Sequence, residues 1–325
     1  MTLPRFLAAA ALAFATLAHA QTYPSKPVTL MVPYPAGGLS DVIARTVNST
    51  LAKQLGQPVI VENLGGVSGA IAAQKVLSAP ADGHTLFQGS PNELILSPLA
   101  NAAVKFRSEE FRLVQMIATA QIGFLVRKDL PANSVDEFLD YARKMAQDGK
   151  PLTYASVGPG SFYHLLGEHL SKTSGIPMIH VPYRGAAPAE QDLLGSQVDF
   201  FLAPYQKKYD DLHKQGKLKV LAMLNDRRLD SVKDFPAISE SKALKNFTFN
   251  IWTGYFVKKD TPEPQVRVLY KAITGSLTDP QVRSGLENAS QLVAQPLSPA
   301  MVDKAYADGI AQFRAIAKSI NLQPQ

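Results

Sequence analysis

Two short glycine-containing loops hold most of the chemistry that these residue types can offer. Val28-Thr29-Leu30-Met31-Val32 runs into Pro33-Tyr34-Pro35-Ala36-Gly37-Gly38-Leu39-Ser40-Asp41 ahead of a helical pattern. Pro151-Leu152-Thr153-Tyr154-Ala155-Ser156 runs into Val157-Gly158-Pro159-Gly160-Ser161-Phe162-Tyr163-His164 ahead of another. Each reads strand, glycine turn, hydroxyl residue, helix. That order leaves backbone N–H groups unpaired at a helix N-terminus, beside the carboxyl edge of a sheet. A small anion binds there without lysine or arginine, and two such loops offer two facing anchors. The competing reading is structural: the glycines make tight turns, and Ser40 and Ser161 cap helices. Neither loop is a nucleotide motif. Gly158-Pro159-Gly160 lacks the later glycine of the dinucleotide fingerprint, and no Gly-Lys-Ser/Thr run occurs.

Nucleophilic and metal chemistry have weaker support. Ser161 and His164 stand one helical turn apart, so a secreted serine hydrolase built on them is the rival function. No Gly-x-Ser-x-Gly elbow surrounds Ser161, and no acid partner can be singled out. The six histidines include no His-Glu-x-x-His pattern, and His164 and His169 are too far apart in the helix to share a face. His180 sits inside a strand pattern and reads as structural. The absence of cysteine removes disulfides, thiolate metal sites and cysteine nucleophiles together. No catalytic residue, metal or cofactor is expected.

The 325 residues, 46% of them hydrophobic and 18% charged, suit one large or two medium domains. The net charge of +6 comes from scattered lysines and arginines, with no block of five, which argues against a nucleic-acid partner. Met1 to Ala20 reads as a cleaved secretory signal: Arg5, an apolar stretch from Phe6 to Leu17, then Ala18-His19-Ala20. That stretch is short against the ~20 residues that span a bilayer.

Behind the loops, short apolar runs alternate with helical patterns, as in βα units with mostly parallel sheets. Strands are expected at Val28–Val32, Val59–Val61, Thr85–Phe87, Phe124–Arg127, Leu152–Ser156, Met178–Val181, Val198–Leu202, Leu218–Met223 and Trp252–Val257. Ser134 and Glu137 predict a capping box, and Ser298-Pro299 opens a last helix. No flexible linker separates the halves. Strands crossing near residues 118–127 and 218–228 would join two doubly wound α/β lobes around a hinged cleft. The expected lobes are 21–122 with 229–325, and 123–228.

At these loops the chain resembles the receptors of tripartite tricarboxylate transporters, the Bug or TctC-like periplasmic proteins. The matching motifs are Tyr34-Pro35-Ala36-Gly37-Gly38 with Asp41 and Ala44-Arg45, Val61-Glu62-Asn63, and Asp82-Gly83-His84-Thr85-Leu86. They continue with Gly158-Pro159-Gly160-Ser161 and His164-Leu165, His180-Val181-Pro182-Tyr183-Arg184-Gly185, Asp192-Leu193-Leu194-Gly195 and Thr261-Pro262. The resemblance implies a type II periplasmic-binding fold and a periplasmic location. It also implies a carboxylate ligand and delivery to membrane permease subunits, without chemistry. Ligand contacts are then expected from Tyr34, Ala36, Gly37, Gly38, Ser40, Asp41 and Ser90 in one lobe. Ser156, Gly158, Gly160, Ser161, His164 and Ala203 would supply the other, in a monomer.

Two departures bear on the ligand. Many relatives carry an acid where this chain has Ala203, so an ammonium has no obvious partner there. The usual Asn-Arg-Pro-Gly run is Asn63-Leu64-Gly65-Gly66. Tyr34, Leu39, Phe87, Phe162, Phe201 and Tyr205 flank loops or strand ends. A dicarboxylate with an apolar or aromatic middle, terephthalate for example, is the expected ligand.

Overall fold

Val28–Val32 (β1) is apolar at every position but Thr29 because it runs between two parallel neighbours and is covered on both faces. A computed structural model describes residues 23–319 and 322–324; the expected signal segment lies outside them. After β1, Leu39–Leu55 (α1) buries Ile43, Val47, Leu51 and Leu55 at helical spacing and ends at Gly56, whose φ of +67° is left-handed. Val59–Asn63 (β2), Ala70–Ser78 (α2) and Thr85–Gly89 (β3) follow. A π-helical turn, Asn92–Leu96, and a short helix, Ser97–Ala100 (α3), lead to a 17-residue strand, Phe111–Arg127 (β4).

The chain continues with Val135–Gln147 (α4), Thr153–Ser156 (β5), Phe162–Ser174 (α5), Ile179–Pro182 (β6) and Ala186–Leu194 (α6). Phe200–Pro204 (β7), Lys208–Lys214 (α7) and Leu218–Met223 (β8) come next. Asn250–Lys258 (β9), Glu263–Leu277 (α8), Pro280–Asn288 (α9), Gln291–Val293 (β10) and Pro299–Ser319 (α10) complete it. The strand order is β2-β1-β3-β9-β4-β7-β5-β6, with β8 and β10 also pairing to β4.

β4 serves both halves. Its residues 111–121 pair antiparallel with β9, and 122–127 pair with β7 and β8. Register shifts between Leu113 and Gln115 and between Met116 and Ala118 break the alternation of the first part. Only its last residues therefore look like a strand in the sequence. The returning chain runs beside it: Leu224 N–H donates to Ile122 O, and Phe249 N–H donates to Leu224 O, both at 2.8 Å. The buried Gln121 amide ties the two passages together. Its Nε2 donates to Ser231 Oγ at 3.0 Å, and its Oε1 accepts from Asn225 Nδ2 at 2.9 Å.

Under the second sheet, Phe124 and Phe200 meet the edge of Phe138 at centroid distances of 4.8 and 5.1 Å. Ser134 caps α4 by accepting from Glu137 N–H, but the Glu137 carboxylate reaches Asn133 N–H rather than the cap's own. Phe87, Phe162, Phe201 and Tyr205 are all core residues, at most 4% exposed. Of the residues expected to line an apolar cleft, only Tyr34 and Leu39 reach the main cavity.

Candidate functional site

The chain leaves the carboxyl ends of β1, β3, β6 and β7 around a cavity of about 500 Å³, within the range of small-ligand sites. Its first wall is the loop after β1. Gly37, at φ +81°, donates its N–H to Asp41 Oδ2 at 2.9 Å. Arg45 donates to the same carboxylate at 2.9 Å. Those bonds, the arginine's first, hold the Asp41 carboxyl below its ordinary value. Asp41 therefore fastens the loop and does not line the cavity.

Gly38 caps α1 with no side-chain oxygen on the first turn. Intrahelical bonding begins with Val42 N–H donating to Gly38 O. The N–H groups of Leu39 and Ser40 have no partner among the described residues. Tyr34, Ala36, Gly37, Gly38, Ser40 and Ser90, named above as expected ligand contacts, line the cavity.

The floor was harder to foresee. Tyr34 Oη donates to Glu93 Oε1 at 2.6 Å, and the Ser90 N–H and Oγ donate to Glu93 Oε2 at 2.6 and 2.7 Å. Asn92 Nδ2 donates to Tyr34 Oη at 2.5 Å. Burial raises the Glu93 carboxyl pKa, against the pull of these donors. It also raises the Tyr34 phenol, with Glu93 adding to the rise. Glu93 belongs to the π-helical turn, where the only sequence signal is one acid ahead of the apolar run Leu94-Ile95-Leu96.

The second glycine loop departs from expectation. Gly158 N–H donates to Ser156 Oγ, Gly160 N–H to His164 Nδ1, and Phe162 N–H to Asn92 Oδ1 across the cleft, at 3.1, 3.0 and 2.8 Å. Ser161 Oγ accepts from His164 N–H at 3.3 Å. Ser156, Gly158, Gly160, Ser161 and His164 do not line the cavity, and neither does Ala203, which is buried in β7 opposite Gly123. These donors are engaged within the protein, so the loop offers the cavity only Val157, with Tyr163 beside it. The Ser161 hydroxyl and the His164 imidazole share no hydrogen bond. A fully buried Ser161 acting as a helix cap, beside an imidazole that holds Gly160, is no nucleophile–base pair.

From this half, Arg184, Gly185, Ala186, Ala187 and Pro188 line the cavity instead. Gly185 caps α6 without a side-chain bond, and the N–H groups of Ala186 and Ala187 have no partner among the described residues. Arg184 makes no hydrogen bond or ion pair among them. The signal was present in Tyr183-Arg184-Gly185-Ala186-Ala187-Pro188: a glycine N-cap with proline in the first turn.

Beneath the second loop, His164 and His180 stack with centroids 3.9 Å apart, and His180 Nε2 lies 2.6 Å from Ser156 Oγ. Burial, and then the neighbouring His164, lower the His180 pKa from 6.5 to about 4. Burial lowers that of His164 as well. Both rings stay neutral in the folded chain where an unfolded one would take a proton. Their contribution to stability is complete above pH ~6.5 and is lost as pH falls toward the folded values. The melting temperature should therefore hold from pH 8 to 7 and drop between pH 6.5 and 4. His180→Gln should flatten that drop, and an unchanged slope would exclude the imidazole pair as its cause.

Known proteins share this fold. The sequence model of the tripartite tricarboxylate transporter family receptor matches residues 43–322. The structure of the periplasmic binding protein BugD is 28% identical, with a TM-score of 0.82, covering 93% of this chain and 100% of its own. MatC from Rhodopseudomonas palustris, solved with bound malate, is 29% identical with a TM-score of 0.80, over 90% of this chain and 99% of that one. An R. palustris protein solved with adipate is 27% identical with a TM-score of 0.82, over 93% and 100%. This two-lobed chain belongs to the tripartite tricarboxylate transporter receptor family, whose members are periplasmic solute-binding proteins.

Proposed function

We propose that the chain captures a dicarboxylate between its lobes and hands it to the permease subunits of a tripartite tricarboxylate transporter. One observation carries this reading: two helix N-termini without side-chain caps, those of α1 and α6, line one cavity from opposite halves of the molecule. Each offers N–H donors and the positive end of a dipole to one carboxylate. Between them, Pro33, Ile43, Ala120, Val157 and Ile251 supply an apolar wall. Malate and adipate, held by two similar receptors, both carry a carboxylate at each end. The two expected lobes would rock about the paired passages at Gln121–Ile122 and Leu224–Asn225. The chain acts by capture and release, with no catalytic step.

Tyr34 and Tyr163 are the only aromatic rings on the cavity wall among the described residues. They favour a linear apolar middle over a ring sandwiched between aromatic faces. Titrating adipate, terephthalate, malate, citrate and benzoate by calorimetry tests the reading. Adipate should bind at least tenfold more tightly than benzoate, which can fill only one anchor. Equal affinity for the two would overturn the two-anchor site. Citrate exceeding adipate would overturn the apolar middle.

A further inference from the structure

Glu93 places a carboxyl group in a cavity otherwise arranged for anions. Among the described residues it is the only acid lining that cavity, and Arg184 is the only base. The side chain is 2% exposed, and both of its oxygens are within hydrogen-bond distance of protein donors. Tyr34 faces it from the loop before α1, and Tyr163 from α5 is close enough to interact electrostatically. Ser90 and Asn92 are neutral neighbours, and Gly69 packs against its Cγ without charge. Among the described residues, nothing that bonds to Glu93 supplies a counter-charge.

Resting on the carboxylate reading above, we infer that capture is proton-coupled: the ligand anion enters together with a proton taken by Glu93 from solvent. Two physical arguments support this. An ionised Glu93 and a carboxylate ligand would be like charges sharing a desolvated space, which favours neutralising one of them. The hydrogen-bond pattern also inverts with that proton. With Glu93 ionised, Tyr34 Oη–H points at Glu93 Oε1 and presents only a lone pair elsewhere. With Glu93 protonated on Oε1, its O–H donates to Tyr34 Oη, which frees the phenol proton to donate to the ligand. Asn92 Nδ2 donates to Tyr34 Oη in either state. Glu93 thus selects anions when neutral and hydrogen-bond donors when charged.

Calorimetry with adipate and malate, in buffers of different ionisation enthalpy between pH 6.5 and 8.5, tests this apart from the histidine titration below that range. Wild type should take up at most one proton on binding, the uptake growing with pH as free Glu93 ionises, with Kd rising by up to about tenfold per pH unit above the Glu93 pKa. Glu93→Gln should bind without proton uptake and with a flat pH profile. Tyr34→Phe should keep the uptake, since the charge remains, but bind more weakly at every pH. Wild-type binding with no buffer-dependent heat, or uptake surviving in Glu93→Gln, would overturn proton coupling while leaving the carboxylate site intact. Failure of both ligands to bind wild type at any pH would remove the carboxylate reading itself, and the coupling with it.

Discussion

Gly160→Ala is expected to weaken ligand capture by at least 100-fold while leaving each lobe folded. A Cβ at this position would lie 1.9 Å from Ala100 Cβ and 3.3 Å from its Cα. Ala100 ends α3, and Gly160 precedes α5 on the other side of the proposed lobe boundary, so the clash falls on the proposed seam. Neither methyl can rotate away, because each is fixed to its backbone. The glycine also sits at φ +71°, a left-handed conformation that costs alanine about 1 kcal/mol within the loop itself. That strain alone lowers the melting temperature by only a few degrees. On the proposed hinge, the clash acts on the approach of the two lobes that lets Phe162 N–H reach Asn92 Oδ1. A protein that cannot close loses the fraction of molecules competent to hold ligand.

Calorimetry with adipate and small-angle scattering at saturating ligand read out the two effects. Binding should collapse, and the radius should stay at the ligand-free value. Combining the variant with Ala100→Gly removes the nearer atom and should restore much of the affinity, the coupling expected of residues in contact. Affinity within threefold of wild type in Gly160→Ala would show that the two lobes do not need this approach.

The contrast between the two glycine loops marks where sequence reasoning reached its limit. Their local elements were legible because they depend on local chemistry: apolar Val28–Val32 makes a strand, Gly56 stops a helix, and Pro299 starts one. In the first loop, Gly37 N–H finds its partner Asp41 only four residues along the chain. The second loop's donors are taken both nearby and from afar: Gly160 N–H by His164, four residues along and stacked on His180, and Phe162 N–H by Asn92, 70 residues distant, which no spacing rule connects. Whether a backbone N–H is free depends on what packs against it, and that is a tertiary fact.

The same limit hid Glu93, because a single acid before an apolar run looks like an ordinary surface residue. Arg184 stood in a recognisable motif, but its place at the ligand site, like that of Glu93, shows only once the cavity is formed. β4 was similarly half visible, since its bulges erase the period-two pattern over the part that pairs with β9.

Arg184→Ala should lower adipate affinity by about tenfold or more, with little change in stability. The side chain is exposed, borders the cavity and makes no hydrogen bond or ion pair among the described residues, so its removal leaves none of them unpaired. A charge-assisted hydrogen bond to a carboxylate contributes about 1.5–3 kcal/mol. Solvent at the cavity mouth screens part of that, which leaves roughly one factor of ten. Arg184→Lys keeps the charge but not the planar fork, and should recover only part of the loss. The affinity difference between wild type and Arg184→Ala should shrink at high salt, because the lost interaction is ionic.

Ser161→Ala is the matched control and should do the reverse. Its hydroxyl caps α5 through His164 N–H, so the change costs about 1 kcal/mol of stability, and the side chain touches no part of the cavity. Thermal melting and adipate titration of the two variants, each at low and high ionic strength, separate the accounts. If Ser161→Ala loses tenfold in affinity while Arg184→Ala stays within twofold of wild type, the second anchor returns to the glycine loop. The arrangement around Asn92 and His164 would then have to open before ligand binds.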